Sequence, residues 1–129
     1  MMYLYGNYVK SDPEIAKKWL LKSSNQNNGW AQFNLANIYI NSLLGFRDLD
    51  LAIEYLNKSV SNNYYYSYYY LGLIHEDLNA GYYDIKKSIS YFEKGDLNNV
   101  FQTQTRLCKL YSLNYINHTE INKIGRAHV

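Results

Sequence analysis

The chain has 129 residues, with 13 basic and 11 acidic side chains, a formal charge of +2 and one cysteine. That near-balance gives no pull toward nucleic acid or anionic membrane. The lone Cys108 leaves no disulfide framework and no thiolate zinc site, and no apolar run approaches the ~20 residues that span a bilayer.

In chain order, Asp12 followed by Pro13 is a strong helix-start signal: a side-chain acceptor at the cap, then a residue with pre-set φ at the first helical position. The helix it opens is predicted over 13–25 and carries Ile15, Ala16, Trp19 and Leu20, with Lys22 near its negative end. A polar break over 25–29 precedes a second helix over 30–42, whose Ala31, Leu35, Ile38 and Tyr39 form one stripe. Residues 41–47 make a linker with Gly45 for chain reversal, and Asp48 caps a third helix over 49–61. The run Asn62 to Tyr70 leans to strand by aromatic content. The continuing stripe Ser67, Leu71, Ile74, His75 makes it the start of a fourth helix over 65–77, and an aggregation hazard where exposed. Gly81 and Asp84 repeat the linker and cap before a fifth helix over 85–95, and a sixth is predicted over 100–113. The excess of Tyr, Asn, Ile and Lys, all with A/T-rich codons, reads as base composition and not as tyrosine chemistry.

These elements recur every 36 residues: Leu35, Leu71 and Leu107; Ala36, Gly72 and Cys108; Asp12, Asp48 and Asp84; Trp19, Tyr55 and Tyr91; Lys22, Lys58 and Lys94. Self-similarity at fixed period marks a repeat architecture. No helix pair hides its stripe alone, and stacking pairs does so. The expected fold is all-α, an α-solenoid of antiparallel helix pairs. Tetratricopeptide units run at about 34 residues and armadillo units at about 40 or more, so 36 fits neither. The pattern resembles the Sel-one-like repeat family, a relative of the tetratricopeptide fold, on Tyr3, Gly6, Val9, Asp12, Ala16, Trp19 and Lys22, then Ala31, Leu35, Ala36, Tyr39, Asp48, Ala52, Tyr55 and Lys58, then Leu71, Gly72, Asp84, Tyr91 and Lys94. Ser42 and Leu78 stand where that pattern has its first linker glycine, Ser88 replaces its small alanine and Gly95 the first alanine of its closing pair. The units read as 1–29 (partial), 30–65, 66–101 and 102–122 (partial), and 123–129 reads as translated sequencing adapter on an internal piece of a longer solenoid.

The resemblance implies an adaptor or scaffold that holds protein partners. The polar side of the first helix of each pair, expected to line a concave face, carries Asn34, Asn37 and Asn41; the period maps these to Tyr70, Leu73 and Asp77, and then to Arg106, Lys109 and Leu113. Amides, one tyrosine and mixed charges there suit a peptide or protein segment. His75 stands at the Tyr39 position and reads as a packed, hydrogen-bonded ring; Trp19 and Trp30 read as packing residues. No catalytic, cofactor or metal constellation appears: no His/Cys/Asp/Glu cluster, nucleophile motif or phosphate loop. The expectation is a non-enzymatic module without cofactor, with a protein or peptide partner, no nucleic acid and no membrane segment. The alternatives are a helical-repeat RNA binder, against which the charge balance stands, and a repeat appendage of an enzyme. Nothing in the sequence fixes the compartment.

Overall fold

The structure is a computed structural model that describes residues 12–112. Expectations placed on Tyr3, Gly6, Val9, Leu113 and the 123–129 heptapeptide lie outside the described residues. Among the described residues there are six helices and no strand: α1 (Pro13–Ser24), α2 (Gly29–Ile40), α3 (Leu49–Ser61), α4 (Ser67–Glu76), α5 (Ile85–Leu97) and α6 (Phe101–Ser112). The chain divides into two compact units, Met1–Tyr64 and Tyr65–Val129. In the first, α2 packs against both α1 and α3; in the second, α5 packs against both α4 and α6.

The local reasons for these boundaries are periodic. The Asp12 carboxylate accepts from the N–H groups of Glu14 and Ile15, that of Asp48 from Leu51 at 3.0 Å, and that of Asp84 from Lys87 at 3.1 Å. Each satisfies N–H groups that a helix start leaves open. Every second helix of a pair ends in a Schellman motif. Asn28, Tyr64 and Val100 donate backbone N–H to the carbonyls of Ser23, Ser59 and Gly95, and Asn27, Asn63 and Asn99 donate to Ser24, Val60 and Asp96. The turning residues Asn27, Asn63 and Asn99 adopt φ of 61, 68 and 64°. This left-handed backbone is one that asparagine tolerates better than most side chains.

The two linkers inside the pairs share an end and differ at the start. The N–H of Asp48 bonds to the carbonyl of Tyr39 at 3.3 Å, and that of Asp84 to the carbonyl of His75 at 2.8 Å. After α2 the chain turns through Ser42 at φ 56°, with Leu43 N–H returning to Ile38. After α4 it leaves in extended conformation at Asp77, whose Oδ1 accepts from Asn79 N–H at 2.8 Å. Ser42 therefore holds a position whose backbone favours glycine, whereas Leu78 needs no positive φ.

Two cores result. The first centres on Ala31, Leu35, Ala36, Ala52 and Leu56, all fully buried. The second is built on Ile89, Phe92 and Leu110, with Tyr69, Leu73, Ile85, Leu107 and Tyr111 packed around them. Position by position the two exchange volume: Ala36 and Leu56 in the first correspond to Gly72 and Phe92 in the second. A Cβ added at Gly72 would overlap the Phe92 ring. The glycine carbonyl is also taken, accepting from Ser88 Oγ at 2.8 Å.

Urea unfolding followed by circular dichroism checks both the packing and the turn. Gly72→Ala is expected to cost about 1–3 kcal/mol by overpacking, and Phe92→Leu about 1 kcal/mol or more through the void it leaves. The double variant Gly72→Ala/Phe92→Leu, which copies the first unit, should be more stable than the sum of the two predicts. Ser42→Gly should gain about 0.5–1.5 kcal/mol by relieving the left-handed backbone, while Leu78→Gly shows no such gain.

Candidate functional site

The residues expected to face a partner fall on α2 in the first unit and on α4 and α6 in the second. On α2, a helix without a Lys, Arg, Asp, Glu or His, the stripe 34, 37, 41 is joined by Trp30 at its head. Asn34 Nδ2 donates to the Trp30 carbonyl at 2.8 Å and Asn41 Nδ2 to the Asn37 carbonyl at 3.0 Å. These bonds hold both amides against their own helix and leave their oxygens able to accept. Asn37 is half-buried between them and Asn41 is exposed. Trp30 was expected to pack inward, but 47% of its surface is exposed. The Ala31, Leu35, Ile38, Tyr39 stripe of α2 is buried, as are Gln32, Phe33 and Ala36 beside it, and Trp30 lies outside this set.

In the second unit the expected residues have mixed fates. Tyr70 joins a tyrosine cluster, its ring centroid 5.5 Å from Tyr66 and 5.7 Å from Tyr69. Leu73 turns toward the core and packs against the Ile89, Phe92, Leu110 cluster, because α6 closes over this side of α4. Asp77 spends its carboxylate on the turn after α4. Arg106 forms a bidentate ion pair with Glu76 across α4 and α6, with Nε donating at 3.1 Å to Oε1 and the second nitrogen donating to Oε2. Lys109 is exposed. From sequence, adjacent Glu76 and Asp77 read only as a poor catalytic pair, diverging on a helix; the pairing of Glu76 with Arg106, 30 residues on, is not one the 36-residue period suggests.

The second helices carry a different device. Lys22, Lys58 and Lys94 place their ammonium groups 4.5, 5.4 and 5.5 Å from the ring centroids of Trp19, Tyr55 and Tyr91. Tyr55 stacks on Tyr39 with centroids 6.3 Å apart, and Tyr91 on His75 at 5.5 Å. Burial raises the pKa of both tyrosines above the ordinary phenol value, so both stay neutral. Trp19, expected in the core, is 54% exposed; the residue standing to it as Tyr39 stands to Tyr55 is Tyr3, outside the described residues.

The first unit also has an open polar cleft of about 790 Å³ at the ends of its helices, lined by Ser24, Gln32, Asn57, Lys58 and Asn62 among others. Gln32 is buried there and its amide is satisfied on both edges: Nε2 donates to the Ser24 carbonyl, and Oε1 accepts from Asn62 Nδ2 at 2.9 Å. Among the described residues no group of three His, Cys, Asp or Glu side chains could hold a metal ion, and no helix is long and apolar enough to cross a membrane.

The model of the Sel1 repeat family matches residues 1–28, 31–64 and 66–95. The chain belongs to the Sel1 repeat family. Its structure is similar to the crystal structure of a Sel1 repeat protein from Oxalobacter formigenes, with a TM-score of 0.76 at 23% identity over 88% of this chain. That likeness is one of fold, and this chain spans only 46% of that protein. No curated protein matches the sequence. The all-α, helical-repeat solenoid class is thus shown for this Sel1 chain. Sel1 repeats are generally protein–protein interaction modules, and proteins built of them are typically non-catalytic scaffolds.

The Glu76–Arg106 pair is only 12% and 22% exposed, so it should count for more than a surface ion pair. A double-mutant cycle with Glu76→Gln and Arg106→Met, read by urea unfolding, is expected to give a coupling of about 1 kcal/mol or more, with each single variant less stable than the parent.

Proposed function

We propose that this Sel1 chain is a non-catalytic scaffold segment that holds a peptide or protein partner on the exposed side of its first helices. In the second unit the binding side chains are Tyr70 and Lys109, with Arg106, Leu73 and Asp77 shaping the surface from below. In the first unit they are Asn34, Asn37 and Asn41. The observation that carries the reading is the Glu76–Arg106 bridge. It ties α4 to α6, which supports a surface whose two backbones are held together before any partner arrives, with less ordering entropy to oppose binding. The bridge also leaves no uncompensated half-buried charge there, which suits a partner segment of mixed composition. The α2 stripe is amide-rich and uncharged, and amides both donate to and accept from an extended backbone.

The test uses Tyr70→Ala/Lys109→Glu in the full chain, with Asn37→Ala as a separate variant. Against a partner isolated by affinity capture, the double variant should bind at least about tenfold more weakly, a loss of ~1.4 kcal/mol, with an unchanged helical spectrum. Equal binding by all variants to every partner captured would put the interaction elsewhere on the molecule.

A further inference from the structure

His75 occupies the place that Tyr39 holds in the first unit. Each ring stacks on the aromatic residue 16 positions later, and each backbone carbonyl accepts from the N–H of the aspartate that caps the following helix. The residue at this place joins its helix pair twice, through its ring and through its carbonyl. In the first unit the ring is a phenol. In the second it is an imidazole, the only histidine among the described residues and 5% exposed.

The imidazole is held in one protonation state by its surroundings. Nδ1 lies 2.9 Å from the Tyr82 carbonyl oxygen, which only accepts, so Nδ1 carries the proton. The neutral ring then has its lone pair on Nε2, and Nε2 is buried without a hydrogen-bond partner among the described residues. A second proton would put an N–H in a place with no acceptor, and a buried donor left unmade is costly. The charges that face the ring are few. Lys87 on α5 opposes a positive imidazole; Asp84 in the linker favours it, although its Oδ1 already serves the α5 cap. Tyr82 and Tyr91 are neutral neighbours, and the Tyr91 ring already lies beneath the Lys94 ammonium.

We propose that His75 is a proton-operated latch on the α4–α5 hairpin: neutral, it clasps Tyr91 and the linker to α4, and protonated in mild acid it lets them go. The device is confined to the second unit, because the matching place in the first holds Tyr39 in place of an imidazole. It stands whether or not the α4–α6 surface binds a partner.

Burial, and then Lys87, lower the His75 pKa below the ordinary histidine value. The unfolded chain therefore takes up the proton first as pH falls. The stability His75 contributes is fully present above about pH 6.5 and is lost as pH drops through its depressed folded value.

The test is urea unfolding of the full chain at pH values from about 5 to 8, for the wild type and for His75→Tyr, which copies Tyr39. The wild-type midpoint should fall toward acid and the variant's should fall less, with the gap between them opening below about pH 6.5. Titration of the wild-type imidazole by NMR needs no variant and should show an Nδ1–H tautomer with a midpoint below that of a free histidine. Parallel stability curves, or a ring that titrates at or above the free value, would overturn the latch.

Discussion

The second unit depends on how closely α4 and α5 approach one another. Phe92 lies where a side chain at residue 72 would need to be, and only the missing Cβ of Gly72 admits the ring. Once the two backbones are that near, the Ser88 hydroxyl reaches the Gly72 carbonyl, Leu71 and Ile89 close off from water, and His75 comes into stacking distance of Tyr91. The first unit reaches a like arrangement with Ala36 and Leu56. Interiors are packed like crystals, so the two solutions are matched sets whose members are not interchangeable one at a time.

This packing bears directly on the proposed binding surface. α4 is fixed on one side by α5 through the glycine contact and tied to α6 through Glu76 and Arg106. Tyr70 and Lys109 thus stand on helices whose positions are set by contacts a partner does not touch. In the first unit the corresponding helix, α2, contacts both α1 and α3, and its outward amides are partly held by their own backbone. An interaction module needs this separation between the residues that hold the scaffold and those that meet the partner.

The helices were legible in the sequence because their causes are local. Asp12, Asp48 and Asp84 cap as expected, Pro13 opens α1, and the Leu35 and Leu71 stripe is buried. The Tyr-rich run is also helical from Ser67 onward, since its stripe is satisfied by packing that outweighs strand propensity. The left-handed asparagines at 27, 63 and 99 were within reach: their spacing repeats the period, and asparagine is the common non-glycine choice for such a turn. What could not be read were side-chain choices made between elements. Leu73 looked outward on a helical wheel, but its burial depends on where α6 crosses. Arg106 looked free because Glu76 belongs to no repeated position. Trp30 read as a packing residue because it opens a first helix next to the preceding unit, whereas nearly half of its surface stays exposed. The orphaned Nε2 of His75 follows from a carbonyl seven residues away, which a single sequence does not reveal.

The two kinds of connection also differ in how they could tolerate a change of chain length. The turns after α1 and α5 are closed by paired backbone bonds of fixed span, so one extra residue would break them and rotate the next helix of the same unit out of its place. The linkers at Gly45 and Gly81 have open space around them, with no atom within 4 Å of a built Cβ. Growth of the chain at those two glycines meets no neighbouring atom, while the bonds that tie the rest of each linker to Tyr39 and His75 stay in place. In this fold, insertions that add new contacts or new sequence belong at those two glycines, and within each unit the Asn27 and Asn99 turns act as the fixed joints.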